Sequence, residues 1–320
     1  MFHSILAATD RITGRDPVII SAARLANALK VPWSILHVLE SSSLSDRQQV
    51  LHFRTGAHQE ATPAYCTDVR HQLRRTYQEL LTWTPPAGIH VITGFPWIEI
   101  SRQADRDAAD LIIMGPHAGI SDKHGALRVL GRIGSTLEGV ITRDHVPVMV
   151  INRHPCSPKP AFKRLLVGVD FSASCENALG FAAALARFYR AEINLFHMLP
   201  VSPYPKYARD EYQADQARIL AKMEAFSRRY LENIPHAYHF WGGALPYREV
   251  FKCAERCQPD ALILGSHTKE TQGKWYAGST VEKVSFQALC PLFVVTGWHA
   301  WPSDRQTASS GSRITSVLKR

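Results

Sequence analysis

The clearest candidates for functional residues are the glycines in one short stretch, GSHTKETQGKWYAGST, at residues 265–280. The stretch follows an apolar run at 261–264, and a helical pattern begins at its end. Glycine lets backbone N–H groups approach an anion closely, and a helix start adds the positive end of its dipole. The stretch therefore predicts a phosphate-binding loop.

This loop is not a Walker phosphate loop, although Gly273 and Lys274 give it a superficial similarity. The Walker motif needs glycine at position 268 and serine or threonine at position 275. The chain has Thr268 and Trp275 at those positions. A different phosphate-binding pattern must therefore apply.

The loop belongs to a pattern that occurs twice in the chain. An apolar run ends in Asp10 and a similar run ends in Asp170, and further apolar runs end at His37 and His197. The glycine positions follow in the same order, as Gly115 and Gly134 in the first copy and Gly265 and Gly278 in the second. Agreement at so many ordered points indicates two tandem copies of one fold.

Each copy must position these residues with alternating strands and helices. In the second copy the predicted strands are 165–169, 194–198, 237–241, 261–264 and 292–295, and the predicted helices are 176–190, 212–232, 247–257 and 280–288. Apolar strands between helices indicate a parallel sheet covered on both faces. The fold class is therefore α/β, with two tandem, doubly wound, Rossmann-like parallel-sheet domains. Ligands of such sheets bind at the carboxyl ends of the strands, where Asp170, the segment after His197 and Gly265 lie.

The predicted domains are 1–152 and 163–297. The segment 153–162 contains three prolines and is predicted to be a short extended linker. The segment 298–320 is rich in serine, threonine and arginine, and we predict a disordered basic tail. The final strands of the two domains, at 148–151 and 292–295, are expected to pair within the chain. This intramolecular pseudo-dimer would hide both strand edges, and a homodimer could still form through other surfaces.

These motifs resemble the universal stress protein family in a tandem, two-domain arrangement. The resemblance rests on Val167-Gly-Val-Asp170-Phe-Ser172, on the histidine that ends the second strand, and on the glycine loop after the fourth strand. Nucleotide-binding members of the family carry G-x2-G-x9-G-[ST] in that loop. The resemblance implies an adenine-nucleotide ligand, ATP with or without Mg²⁺, and a role as a stress-response regulator or sensor.

The resemblance also implies which residues contact the nucleotide. The first-strand aspartate lies beside the nucleoside, the backbone after the second strand contacts adenine, and the glycine loop holds phosphate. In the second domain the implied nucleotide-binding residues are Asp170, Phe171, Ser172, Met198, Gly265, His267, Thr268, Gly278, Ser279 and Thr280. The corresponding residues of the first domain are Asp10, Val38, Gly115, Ala118, Gly134 and Ser135.

Both domains depart from the family motif. Thr268 replaces its second glycine in the second domain, and Ala118 replaces it in the first, where the loop before Gly134 is also longer. The second domain is therefore the predicted binding half, and the first is predicted to be degenerate. The alternative is a scaffold that binds no nucleotide and acts through protein contacts. Slow ATP hydrolysis or autophosphorylation is a third interpretation, but no base or metal-binding carboxylate pair is evident and we predict no enzyme.

Several single residues have competing interpretations. His37 and His197 are predicted to make core hydrogen bonds, and His117 and His267 to pack locally in loops, with phosphate contact as the alternative. Ser279 is predicted to be a helix N-cap that also contacts phosphate. The strand-end aspartates either cap the next helix or contact the nucleoside, and nucleoside contact is favoured in the second domain.

The composition is ordinary for a globular protein, with 45% apolar and 20% charged residues. The net charge of +9 is spread along the chain without a nucleic-acid-binding motif, so nucleic acid is not an expected partner. No apolar run reaches the ~20 residues of a membrane helix. The N-terminus does not have the pattern of a signal peptide, and we expect a cytoplasmic protein.

The six cysteines show no disulfide or zinc-finger spacing. Cys253 and Cys257 would share one face of a helix, which permits a metal or redox pair. No second pair of cysteine or histidine residues has ligand spacing, so buried thiols in a reducing compartment are the preferred interpretation and no metal site is predicted.

Overall fold

A computed structural model describes residues 1–10, 16–41, 49–52, 57–116, 134–143, 146–152, 162–200, 209–266 and 278–297. The first half contains β1 (Ile5–Ala8), α1 (Pro17–Leu29), β2 (Trp33–Glu40), β3 (Gln49–Leu51), β4 (His58–Glu60), α2 (Pro63–Thr76), α3 (Gln78–Trp83), β5 (Gly88–Gly94), α4 (Pro96–Arg106), β6 (Leu111–Met114), α5 (Ser135–Arg143) and β7 (Val148–Val150). The second half contains β8 (Arg164–Gly168), α6 (Ala173–Tyr189), β9 (Glu192–Pro200), α7 (Arg209–Leu231), β10 (His236–Gly243), α8 (Pro246–Cys257), β11 (Ala261–Gly265), α9 (Ser279–Gln287) and β12 (Leu292–Val295).

Ten of these strands form one continuous sheet in the order β10-β9-β8-β11-β12-β7-β6-β1-β2-β5. Each half contributes five parallel strands in the same relative order, with the first strand of the half at the centre. The order reverses direction beside that first strand, which is the winding of a doubly wound sheet. The predicted fold class is therefore confirmed.

The two half-sheets join through their final strands. β12 pairs antiparallel with β7, with Leu292 opposite Val150 and Val294 opposite Val148. The predicted pairing of the final strands within one chain is thus confirmed. Because the joint is antiparallel, the strands of one half run opposite to those of the other. The carboxyl ends of the two halves therefore lie at opposite edges of the sheet.

The helices cover both faces of the sheet and form two apolar layers. One layer combines α1, α2, α6 and α7 with the sheet, and the other combines α4, α5, α8 and α9 with it. Phe2 of the first half packs on Phe181 and Phe293 of the second, with ring centroids 6.2 and 6.5 Å apart. The first layer is therefore shared between the halves.

The described elements of the second half agree with the predicted ones to within a few residues. The β3–β4 hairpin of the first half was not predicted, and it lies where the first copy is the longer one. Residues 153–161 and 298–320, which include most of the predicted linker and the whole predicted tail, lie outside the described residues. Among the helices that the structure describes, none is long and apolar enough to cross a membrane.

Candidate functional site

The second-half site lies where β8, β9 and β11 end side by side. Asp170 follows β8, Met198 lies near the end of β9, and Gly265 ends β11. The Asp170 carboxylate accepts hydrogen bonds from the Ser172 backbone N–H at 3.0 Å and from its hydroxyl at 2.6 Å. The Ser172 hydroxyl in turn accepts from the Cys175 N–H at 3.1 Å and caps α6. Asp170 therefore supports the helix cap without being the cap, and its exposed carboxylate remains at the ligand edge.

Phe171 places an aromatic side chain at the same edge. Its backbone has a φ of 62°, an uncommon conformation for a residue with a side chain. Its ring lies 4.6 Å from the ring of His197 and 5.4 Å from that of Phe226, and the Lys222 ammonium lies 3.9 Å from its centroid. The edge beside Asp170 is therefore a cluster of aromatic rings in tilted and edge-to-face contact, with a cation over the central ring.

His197 and His37 make the same hydrogen bond in the two halves. The Nδ1 atom of His197 lies 2.7 Å from the Val169 carbonyl, and that of His37 lies 2.9 Å from the Thr9 carbonyl. Burial lowers the pKa of both imidazoles below the ordinary value, which favours their neutral forms. The predicted core hydrogen bonds of both histidines are confirmed.

The two predicted phosphate glycines of the second half differ in what surrounds them. A Cβ at Gly265 would lie 2.4 Å from the carbonyl carbon and oxygen of Ser174 and 2.6 Å from the Cys175 nitrogen. Gly265 is therefore required for close packing of β11 against α6, whatever else it contacts. A Cβ at Gly278 would meet none of the residues that the structure describes within 4 Å.

The prediction that Ser279 is an N-cap is wrong. The Gly278 carbonyl accepts the first helical hydrogen bond of α9, from the Glu282 N–H at 3.0 Å, so Gly278 is the cap. Ser279 and Thr280 are the first two helical residues, and the cap residue, Gly278, has no side chain that could add a hydrogen bond. The extended backbone that a cap requires is supplied by glycine, one residue earlier than expected.

The first half contains a well-defined cleft at the carboxyl ends of β1, β2 and β6. The space between its walls, including the part that is open to solvent, is about 860 Å³. Its lining includes Asp10, Val38, Gly115 and Gly134, four of the residues that the family resemblance selected. The other lining residues are Ala8, Thr9, Leu36, His37, Leu39, Glu40, Leu51, Pro96, Ile100, Met114, Pro116, Thr136 and Leu137.

The first-half glycines are held together despite the long loop between them. The Gly134 N–H donates to the Pro116 carbonyl at 2.9 Å, which joins the end of β6 to the start of α5 at Ser135. The extra loop residues therefore do not separate Gly115 from Gly134, and loop length no longer argues against a first-half site.

Sequence reasoning missed several residues of this cleft. Leu51 comes from the unpredicted hairpin, Pro96 and Ile100 come from α4, and Glu40 is the last residue of β2. In the sequence, only the residues near the ends of the strands could be predicted to belong to this site. The hairpin and the helix add apolar side chains to the lining of the cleft.

Some predicted residues lie outside the described part of the chain. These are His267 and Thr268 in the second half and His117 and Ala118 in the first. What the sequence predicts for these four residues, whether local packing or contact with phosphate, stays a prediction.

Comparison with known proteins agrees with the doubly wound fold. The model of the universal stress protein family matches residues 1–152 and 161–296. The chain therefore belongs to the universal stress protein family and contains two of its domains.

Solved structures show the same fold at low sequence identity. A universal stress protein from Archaeoglobus fulgidus DSM 4304 is similar with a TM-score of 0.61 and 19% identity, over 92% of this chain and 98% of that one. A putative universal stress protein from Pseudomonas aeruginosa UCBPP-PA14 has a TM-score of 0.53 and 13% identity, over 92% and 93% of the two chains. No curated protein sequence gave a significant match.

Proposed function

We propose that this universal stress protein binds an adenine nucleotide and acts as a stress-response sensor or regulator that does not turn over a metabolite. The observation that carries the proposal is the first-half cleft. Asp10, Val38, Gly115 and Gly134 were selected from the sequence and its family resemblance, and they line one cavity. Family membership and this convergence support the same ligand class.

The two ends of the cleft suit the two ends of a nucleotide. Val38 and the apolar lining favour the base, and the Asp10 carboxylate could accept hydrogen bonds from ribose hydroxyls. Gly134 precedes the first turn of α5, whose N–H groups have no partners within the helix and favour an anion. We therefore expect the phosphates to lie beside Gly115 and Gly134.

The second half remains a second proposed site. Its motif spacing is the better preserved, and Asp170, Met198, Gly265 and Gly278 lie at the corresponding edge. The two edges face opposite directions, so two nucleotides could bind without contact. Thr268 lies outside the described part of the chain. A binding measurement on the second half therefore has to show whether this residue is compatible with phosphate.

Calorimetric titration with ATP, ADP and AMP, with and without Mg²⁺, tests the proposal. Gly134→Val and Gly278→Val form a matched pair, because each places a branched side chain before the first turn of the equivalent helix. We expect Gly134→Val to weaken binding about tenfold or more, which corresponds to about 1.4 kcal/mol. Loss of a second binding event in Gly278→Val would assign a site to the second half.

The same protein and variants also test two other functions. No heat with any nucleotide, together with a stable protein partner, would support a scaffold that acts through protein contacts. Phosphate release faster than in buffer, abolished by Gly134→Val or Gly278→Val, would support slow ATP hydrolysis. Circular dichroism of each variant shows whether it has kept its fold.

A further inference from the structure

A cluster of soft metal ligands lies between the outer strand β10 and helix α8. His239 is in the middle of β10, and Cys253 and Cys257 lie four residues apart on α8. Residues four apart share one face of a helix, and this face covers the strand. The ligand atoms of the three side chains all lie within 4.8 Å of one another. Strand β10 thus supplies the third ligand that sequence spacing did not reveal.

Two of the three distances between these ligand atoms match a tetrahedral zinc site, and the third lies within 4.8 Å. The Sγ atoms of Cys253 and Cys257 are 3.8 Å apart, and the Cys257 Sγ lies 3.5 Å from the His239 Nε2. With Zn–S bonds of about 2.3 Å and a Zn–N bond of about 2.1 Å, tetrahedral angles require separations of about 3.8 and about 3.6 Å. An ion could therefore bind with little movement of these two ligand pairs.

The three side chains differ in their exposure to solvent, and one of them has a hydrogen bond that an ion would replace. Cys253 is fully buried, whereas Cys257 and His239 are partly exposed, so the solvent side offers a fourth position to water. The His239 Nε2 also lies 2.8 Å from the Asn194 side-chain oxygen. Binding would exchange this hydrogen bond for a metal bond.

The equivalent position in the first half is occupied by a hydrogen-bonded cluster. His90 of β5 pairs in register with Leu36 of β2, as His239 of β10 does with Phe196 of β9. The His90 Nε2 lies 3.7 Å from the Asp107 carboxylate, which accepts from the Gln103 amide at 2.7 Å. The fold therefore brings one strand histidine and two helix side chains together in both halves, and only the second half provides two thiols.

We propose that His239, Cys253 and Cys257 form a binding site for a thiophilic divalent cation, with Zn²⁺ as the favoured ion. Two thiolates and an imidazole are ligands that zinc binds in a tetrahedral site with water in the fourth position. A bound ion would tie the carboxyl end of α8 to the outer strand of the sheet. Because the thiols must lose protons, affinity for the ion falls as the pH falls.

Metal titration of the reduced, tag-free full chain tests this proposal. The protein is stripped with a chelator and titrated with Zn²⁺ against a chromophoric competitor, and separately with Co²⁺. We expect one ion per chain and a thiolate-to-cobalt charge-transfer band. Cys257→Ser and His239→Gln should each weaken Zn²⁺ binding by more than about 100-fold, because each removes a ligand rather than a neighbour of one.

Cys290→Ser is the matched control, because it removes a thiol that lies outside the cluster and should leave binding unchanged. The proposal is overturned if the reduced chain binds no stoichiometric ion. It is also overturned if the cobalt band survives in Cys257→Ser, or if Cys290→Ser weakens binding as much as Cys257→Ser does. A Cys253–Cys257 disulfide that persists under reducing conditions, detected by mass spectrometry, would equally contradict it.

Discussion

The two halves share one topology and differ in what fills equivalent positions. At the carboxyl edge, the first half has an apolar cleft beside Asp10, whereas the second half places the Phe171 ring against His197 beside Asp170. Between the outer strand and its helix, the first half has a hydrogen-bonded carboxylate and the second half has two thiols. The backbone fixes where chemistry can occur, and local side chains decide which chemistry it is.

The difference extends to how the first helix of each half begins. Asp16 caps α1 from a buried position, accepting from the Val18 N–H at 2.8 Å, from the Tyr77 hydroxyl at 3.3 Å and from the Thr9 hydroxyl. Ser172 caps α6 near the surface. The first half therefore depends on a buried polar network where the second uses a local cap.

The largest expected effect tests whether the halves form one core. Phe293 is fully buried and packs on Phe2, Phe162 and Phe181. We expect Phe293→Ala to lower the free energy of unfolding by about 3–5 kcal/mol, because it leaves a cavity between the halves. Urea denaturation measures this loss. Phe188→Ala, at an exposed position, is the control, and equal losses in the two variants would contradict a shared core.

The second prediction compares the two helix caps. Asp16→Ala removes the acceptor of two hydroxyls and one N–H, and should cost about 2–4 kcal/mol of stability. Ser172→Ala should cost only about 1 kcal/mol, because it removes one half-buried cap. Thermal and urea unfolding of both variants measure the difference. Asp16→Asn keeps an acceptor and should lie between them, and equal costs for the two alanine variants would remove this distinction between the halves.

The third prediction separates two glycines of one proposed site. Gly265→Ala should destabilise the protein by about 1–3 kcal/mol, because its Cβ overlaps the backbone of Ser174. Gly278→Ala should change stability by less than about 0.5 kcal/mol, because its Cβ meets none of the described residues within 4 Å. Paired urea denaturation curves measure both values. A neutral Gly265→Ala would show that β11 and α6 are not packed as described.

The smallest expected effect concerns pH. The Glu249 carboxylate accepts from the Lys252 ammonium at 2.9 Å and from the Trp241 indole N–H at 2.7 Å, and the bond to Lys252 is the main reason that its pKa lies below the ordinary 4.5. A lowered folded-state pKa stabilises the fold above the unfolded-state value, and this contribution is lost as the pH falls through the folded-state value.

Glu249→Gln should therefore reduce the pH dependence of stability below pH 4.5. We expect a change under about 1 kcal/mol, because Lys252 is largely exposed. Unfolding curves followed through tryptophan fluorescence measure it. Glu99 of the first half binds Arg102 at 2.8 Å, and Glu99→Gln is the matched comparison. A wild-type profile identical to that of Glu249→Gln would contradict the assignment.

The sequence predicted the fold well because both halves repeat one strong pattern. The strand predicted at 165–169 is Arg164–Gly168, and the helix predicted at 212–232 is Arg209–Leu231. Apolar runs and helical periodicity depend only on residues close together in the sequence, so they predict strands and helices without knowledge of the rest of the chain.

The sites were less predictable because they depend on contacts between distant segments. Leu51 reaches the first-half cleft from a hairpin that periodicity did not indicate. His239 meets Cys257 only because β10 and α8 are packed together, and no motif spacing marks that meeting. The cap of α9 is Gly278 and not the predicted Ser279, because the backbone conformation of one residue decides where the helix begins.

The most direct test of the account is to identify what the purified protein carries. The protein is denatured, the supernatant is separated by chromatography, and nucleotide is identified by mass and absorbance. We predict an adenine nucleotide released from the wild-type protein and less from Gly134→Val at equal protein concentration. No released nucleotide, together with no binding heat at millimolar ATP, would contradict the proposal that this protein is a nucleotide-binding universal stress protein.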